Sequence, residues 1–127
     1  MKLGIITAPC ASGLQRVADF GLKSAEFDIN IGSDIDAVEA EIPAMQQTMT
    51  ATGVTVDAIG RWGADRITLA GPNEDELRTE YRLIDLAETL GAPVYITGCN
   101  WLQGLSLYQN CTLAIDYMQR LLDYAAP

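Results

Sequence analysis

The chain has 127 residues, of which 49% are hydrophobic and 20% charged, a balance typical of a single soluble globular domain. Its formal net charge of −9 repels phosphate backbones and anionic lipid headgroups, so neither nucleic acid nor a membrane surface is an expected partner. The sequence contains no histidine, which removes the commonest general base and the commonest metal ligand from this chain.

The three cysteines, Cys10, Cys99 and Cys111, are odd in number and form no C-x-x-C pair. This pattern predicts free thiols in a reducing compartment rather than a disulfide framework. The apolar run Leu3–Ile6 is too short for a signal-peptide core, and no run approaches the roughly 20 apolar residues of a membrane span. We therefore expect a cytoplasmic protein.

The first part of the chain predicts a strand, a helix and a second strand. Lys2–Thr7 is a short apolar run typical of a buried strand, and Ser12 with Gln15 forms a capping-box pattern for the next helix. That helix has one apolar face and ends near Gly21, because glycine adopts the left-handed conformation that stops a helix. Ser24–Ile29 is the second strand, in which Ala25, Phe27 and Ile29 alternate with Ser24, Glu26 and Asp28.

A proline interrupts the next helical segment. Because Pro43 has no backbone N–H to donate, we expect a short turn over Ile35–Glu41 and then a helix over Ile42–Ala51 with Pro43 in its first turn. Val54–Ile59 is predicted to be the third strand.

A long connection, Gly60–Asn73, separates the third strand from the clearest helix. The apolar triplet Ile67–Leu69 within it is a candidate hairpin arm, and Asn73 with Glu76 forms a second capping-box pattern. The helix is predicted over Glu74–Leu90. Its apolar stripe consists of Leu77, Tyr81, Ile84 and Ala87, and its other faces carry Glu76, Glu80, Asp85 and Glu88.

The last predicted elements are a strand over Val94–Thr97 and a helix over Asn110–Ala125. The order is therefore strand–helix four times, which predicts an α/β fold with parallel strands and right-handed crossovers. Two architectures share this pattern. One is an open doubly wound, flavodoxin-like sheet, and the other is part of a TIM barrel, which needs eight units and about 250 residues when complete.

Four segments favour the barrel: KLGIITAP at the start, ADFGLKSAEFDI at 18–29, TGVTVDAIG at 52–60 and LAETLGAPVYITG at 86–98. In this order they resemble the sugar-phosphate isomerase/epimerase family, whose fold is the xylose-isomerase-like TIM barrel. The resemblance implies that residues 1–127 form one domain of four strand–helix units, the N-terminal half of such a barrel.

The resemblance also implies a chemistry, namely proton or hydride movement next to a sugar carbonyl, assisted by a divalent metal of the manganese or magnesium class. In that family the metal ligands come from the fifth to eighth strands. We therefore expect no metal ligand and no catalytic residue in this chain, and neither tight metal binding nor isomerase turnover by this chain alone. The alternative is a non-catalytic binding or interaction domain derived from the same barrel.

Ligands of parallel α/β folds meet the carboxyl ends of the strands. For a small sugar or sugar phosphate, the substrate-binding candidates expected there are Thr7, Asn30, Arg61, Trp62, Asn100 and Trp101. The two tryptophan side chains could stack on the face of a sugar ring, but they could equally cover the end of the core or fill an interface. Asn100 suits a sugar hydroxyl or, alternatively, turn chemistry.

The remaining candidates have structural alternatives. Arg61 and Arg66 suit a phosphate or carboxylate, or else surface salt bridges with Asp65 or Glu74. The D-x-D pair of Asp34 and Asp36 is better explained by a helix N-terminus than by a metal. Cys10 and Cys99 are expected to be small buried residues.

An isolated half-barrel leaves its first and last strands unpaired at their outer edges. Its barrel-facing side chains also lose their cover. We therefore expect an exposed apolar face and self-association, most simply as a two-fold homodimer.

Overall fold

A computed structural model describes residues 3–126. Lys2, where the first predicted strand begins, and Pro127 lie outside the described residues. In chain order the elements are β1 (Gly4–Thr7), α1 (Ala11–Asp19), β2 (Ser24–Asp28), α2 (Ile35–Ala40), α3 (Ile42–Thr52), β3 (Thr55–Gly60), β4 (Ile67–Thr68), β5 (Gly71–Pro72), α4 (Glu74–Leu90), β6 (Val94–Ile96) and α5 (Leu107–Ala125).

The main sheet contains four parallel strands in the order β1-β2-β3-β6. Spatial order therefore follows chain order, and each strand pairs with the one before it. A doubly wound sheet instead reverses direction at a switch point, where ligands bind. Sequential parallel strands are the arrangement of a TIM barrel. The predicted α/β half-barrel is confirmed, and the flavodoxin-like alternative is excluded.

The helices pack on one face of this sheet. Phe27 and Ile59 of the central strands are fully buried in a core that also contains Leu14 of α1, Met45 of α3 and Leu83 of α4. A second cluster forms between α4, α5 and the β4–β5 hairpin; its buried members are Ile67, Leu77, Tyr117 and Leu121. Within residues 3–126, no helix is both long and apolar enough to cross a bilayer.

Helix α1 begins earlier than its predicted cap. Cys10 occupies the N-cap position without a side-chain hydrogen bond, and Ser12 lies inside the helix. The capping box predicted for Ser12 and Gln15 is therefore wrong. The Gln15 amide instead donates to the carboxylate of Asp19 one turn later, at 2.9 Å.

The segment before Pro43 is a helix rather than the short turn predicted. Asp34 caps α2 by accepting a hydrogen bond from the backbone N–H of Ala37 at 3.1 Å. This bond satisfies one of the free donors at the helix N-terminus. Pro43 lies in the first turn of α3, as predicted, where no intrahelical partner is needed.

The predicted hairpin and the predicted helix Glu74–Leu90 are both present. Asn73 caps α4 by accepting hydrogen bonds from the backbone N–H groups of Asp75 and Glu76. Only this half of the predicted capping box forms, because the Glu76 carboxylate binds an arginine instead of returning to the N-cap.

Helix α5 starts at Leu107, earlier than the predicted Asn110. Ser106 and Gln109 form a reciprocal capping box at its N-terminus, with Ser106 accepting from the Gln109 backbone at 3.3 Å. This S-x-x-Q signal is present in the sequence and explains the earlier start.

Candidate functional site

The face of the sheet opposite the helices is the barrel-interior face, and we call it the inner face. Because side chains alternate along each strand, cross-strand partners fall into rows on one face. The pairings place Ile6, Glu26, Ala58 and Val94 in one row and Asp28, Gly60 and Ile96 in the next. The second row is nearest the carboxyl ends, where ligands of parallel sheets bind.

Two carboxylates and an indole converge on Gly60 in this face. A Cβ built on Gly60 would lie 2.9 Å from Asp28 Oδ1, 3.3 Å from Trp62 Nε1 and 3.4 Å from Glu26 Oε1. Only glycine leaves room for all three groups at their observed positions. We call Glu26, Asp28 and Trp62 around Gly60 the Gly60 cluster.

Trp62 is held across the strand ends by two hydrogen bonds. Its indole Nε1 donates to Asp28 Oδ1 at 3.3 Å, and its backbone N–H donates to Asn30 Oδ1 at 3.1 Å. The side chain remains 43% exposed. Trp62 therefore has a fixed orientation and an accessible aromatic surface. A tryptophan that only capped the core would be buried. Trp101, beyond β6, is 51% exposed.

Asn30 and Asn100 both bind backbone groups of neighbouring loops. Asn30 holds the loop after β3, as described above. Asn100 Oδ1 accepts from the backbone N–H groups of Arg66 and Ile67, at 2.8 and 3.0 Å, and its Nδ2 donates to the Ile67 carbonyl. These bonds fasten the hairpin to the loop after β6, so Asn100 links two segments that are distant in sequence and does not form the local turn considered as its alternative.

Arg61 is buried beneath the strand ends, with 5% of its surface exposed. Its Nε and Nη2 donate to the two carboxylate oxygens of Glu76, at 2.5 and 3.0 Å, and Nη1 donates to the carbonyls of Ile29 and Asn30. The hydrogen bond to Glu76 raises the pKa of Arg61. These contacts give Arg61 a structural role, and the substrate-binding set proposed below leaves it out.

Arg66 forms a second buried ion pair. Its Nε donates to Glu80 Oε1 at 2.5 Å, and its other donors bind the carbonyls of Ala64 and Arg61. The expected salt bridges with Asp65 or Glu74 are therefore wrong. Glu74 binds Arg120 instead.

Glu80 lies at the centre of this polar core and is fully buried. Thr97 donates a hydrogen bond to Oε1 at 3.0 Å, while Oε2 has no hydrogen-bond partner in the part of the chain described. Burial raises the pKa of Glu80, and Arg66 opposes that effect. Glu76 and Glu80 lie off the apolar stripe of α4, as predicted, and both are nevertheless buried.

Thr7 faces the helices rather than the inner face. It pairs with Phe27, whose side chain lies in the helix-side core. Its Oγ1 lies against α1, 2.9 Å from where a Cβ on Gly13 would be. Thr7 is therefore at the carboxyl end of β1, as predicted, but on the opposite side of the sheet from the Gly60 cluster.

In the described part of the chain, the side chains that could coordinate a metal ion do not lie close enough together to form a site. Between residues 3 and 126 there is no group of three Asp, Glu, Cys or His side chains placed to hold a cation. Asp34 caps α2, and Asp36 binds Arg82 at 2.5 Å, as a helix N-terminus predicts. The three cysteines are free, with Cys10 and Cys99 half-buried. Burial raises the pKa of Cys99, which makes its thiol less reactive.

The sequence contained a signal for the Gly60 cluster. Glu26 and Asp28 alternate with Ala25 and Phe27, which already places both carboxylates on the non-core face of β2. Neither Glu26 nor Asp28 is among the site residues predicted from the sequence, although Asp28 lies at the carboxyl end of β2.

Comparison with known proteins extends the fold assignment. No protein-family model matches the sequence, and no curated protein matches it. Among solved structures, the chain is similar to 3-keto-D-glucoside 4-epimerase from E. coli, with a TM-score of 0.75 and 16% identity over 99% of this chain and 52% of that one.

Two further structures show the same relation. A xylose isomerase domain protein from Planctomyces limnophilus matches with a TM-score of 0.67 and 18% identity, over 98% of this chain and 50% of that one. D-psicose 3-epimerase from Clostridium cellulolyticum H10 matches with a TM-score of 0.71 and 12% identity, over 98% and 48%. The chain thus spans about half the length of these proteins. The predicted likeness to half of a xylose-isomerase-like barrel is confirmed at the level of fold.

Proposed function

We propose that this chain is the N-terminal half of a sugar epimerase or isomerase and forms one wall of its sugar-binding site. The observation that carries the proposal is the Gly60 cluster, which lies at the carboxyl ends of sequential parallel strands on the inner face. The three solved structures compared above supply the class of reaction, since two are named as sugar epimerases and one as a xylose isomerase domain protein.

The chemistry of the Gly60 cluster suits a polyol. An exposed indole offers a flat apolar surface to the C–H groups of a sugar ring, and carboxylate oxygens accept hydrogen bonds from hydroxyl groups. Asp28 already holds the indole in place through Trp62 Nε1. We propose Trp62, Asp28 and Glu26 as the principal contacts, with Trp101 as a second aromatic surface.

We assign the reacting centre to the other half of the barrel. The fold family implies a divalent metal, but residues 3–126 do not bring together a ligand set for one. In this chain the Gly60 cluster would bind and orient the sugar. A cytoplasmic location belongs to the same proposal, because three free cysteines suit a reducing compartment.

Binding of a ketohexose tests this function. With D-tagatose as the probe, we expect ligand-observed NMR to give a dissociation constant of about 1 mM, equivalent to about −4.1 kcal/mol, because only part of the site is present. Trp62→Ala should weaken binding at least about fivefold, a loss of about 1 kcal/mol and the size of one stacking contact. Tyr108→Ala is the matched control, since Tyr108 is an aromatic residue on α5 that is 80% exposed.

Equal affinities of the two variants would contradict the proposed site. Absence of any ketohexose binding by the folded natural chain would favour the alternative, a non-catalytic interaction domain derived from the barrel.

A further inference from the structure

The Gly60 cluster carries two carboxylates whose charges have no counter-ion in the described chain. Glu26 and Asp28 are half-buried on the inner face, and between residues 3 and 126 neither forms an ion pair. The indole N–H of Trp62 binds Asp28 but is a neutral donor, so this hydrogen bond leaves the charge in place. A ligand that stacks on Trp62 therefore lies beside two carboxylates.

The two arginines nearest in sequence to Trp62 are fully occupied inside the protein. Arg61 is 5% exposed, and its guanidinium nitrogens donate to Glu76 and to two backbone carbonyls. Arg66 is 3% exposed, and its nitrogens donate to Glu80 and to two other carbonyls. Turning either arginine toward a ligand would leave a buried glutamate without its partner, which is costly.

The remaining basic side chains of residues 3–126 do not lie on the inner face. Three on the outer helices pair with carboxylates, namely Arg78, Arg82 and Arg120. Lys23 precedes β2 and donates to the Thr52 carbonyl at the amino ends of the strands. Arg16 is exposed on α1, on the helix side of the sheet, and lines a groove along the outer edge of β1 that Asp28 also lines. Within the described chain, the inner face thus presents carboxylates and no basic group.

We propose that this wall of the site selects uncharged sugars, so that the part of the ligand against the Gly60 cluster carries hydroxyl groups and neither phosphate nor carboxylate. Hydroxyl groups donate hydrogen bonds to Glu26 and Asp28. An anionic group there would bring like charges together where water is partly excluded. The inference rests on the proposed function and makes Glu26 and Asp28 the residues that determine its specificity for charge.

A sugar with phosphate at both ends tests the selection, because one phosphate meets the wall in either orientation. We compare D-tagatose with D-tagatose 1,6-bisphosphate by ligand-observed NMR at neutral pH and low ionic strength, where charges are least screened. The natural chain should bind the bisphosphate at least about fivefold more weakly than D-tagatose. Binding of the bisphosphate as tightly as D-tagatose, or more tightly, would overturn the inference.

Neutral variants show whether the two carboxylates cause the difference. In Glu26→Gln/Asp28→Asn, which keeps acceptor oxygens at both positions, the ratio of the two dissociation constants should fall at least about threefold. The single variant Glu26→Gln leaves the hydrogen bond between Trp62 and Asp28 intact and should lower the ratio in the same direction. It keeps the test valid if the double variant misfolds.

The matched control is Glu88→Gln/Asp116→Asn, which removes the same two charges at exposed positions on α4 and α5. Its ratio should stay that of the natural chain, and an equal fall in the control would contradict selection by the Gly60 cluster. D-tagatose binding that depends on Trp62 but shows no preference over the bisphosphate would refute this inference alone. Failure of D-tagatose itself to bind would overturn the proposed function, and this inference with it.

Discussion

Replacing Arg66 with methionine is expected to lower the free energy of unfolding by about 3–5 kcal/mol, the cost of leaving a buried charge without its partner. Arg66 is 3% exposed and binds Glu80, which is fully buried, together with two backbone carbonyls. Methionine fills much of the same volume but donates no hydrogen bond. Urea unfolding followed by circular dichroism measures the loss.

The loss should also depend on pH. Burial raises the pKa of Glu80 in the folded state above its value in the unfolded state. Between these two pKa values the folded state binds more protons than the unfolded state, so the free energy of unfolding falls as the pH rises through that range. Removing Arg66 removes the group that lowers this pKa. The difference between variant and natural chain should therefore be smaller at pH 5 than at pH 8.

An exposed ion pair provides the control for this experiment. Arg78 and Asp75 pair within the first turns of α4, with side chains 67% and 89% exposed. Arg78→Met should change the free energy of unfolding by less than about 1 kcal/mol, as is usual for surface pairs. Comparable losses in Arg78→Met and Arg66→Met would contradict a special role for the buried pair.

The second large effect is expected for Gly13→Ala, which should destabilise the chain by about 1–3 kcal/mol through overpacking, although alanine is the better helix former. A Cβ at this position would lie 2.3 Å from the backbone carbonyl oxygen of Ala8 and 2.9 Å from Thr7 Oγ1. A backbone carbonyl cannot rotate away, so α1 would have to move away from the end of β1.

Ser12→Ala is the matched control, because it makes a helix-favouring change one residue earlier at an exposed site of α1. It should leave the thermal midpoint unchanged or raise it slightly, whereas Gly13→Ala should lower it. A Gly13→Ala chain as stable as Ser12→Ala would show that α1 does not approach the end of β1 this closely.

Local patterns in the sequence predict most of the elements. Alternation over Ser24–Ile29 identifies β2 and its two faces, and Asn73 followed by an apolar stripe identifies α4. Local patterns do not predict the order of the strands in the sheet. That order depends on pairings between distant segments, and the strand–helix pattern is compatible with both candidate architectures. The family-like segments favoured the barrel, and the parallel order β1-β2-β3-β6 decides it.

The site is less predictable than the fold because its partners are distant in sequence. Helical periodicity places Glu76 and Glu80 off the apolar stripe of α4. Both are nevertheless buried, and each forms an ion pair with an arginine that lies 15 or 14 residues earlier in the chain. Arg61 therefore resembled a ligand-binding residue. The position of Trp62 after β3 was predictable, but its hydrogen bond to Asp28 on the neighbouring strand was not.

The position of sugar binding tests the account most directly. Two-dimensional 1H–15N NMR of the natural chain during titration with D-tagatose identifies the groups that the sugar approaches. We predict that the largest shifts fall on the indole N–H of Trp62 and on the backbone amides of Asp28 and Gly60, at the carboxyl ends of the strands. Shifts confined to the outer surfaces of α4 and α5 would contradict a sugar-binding inner face.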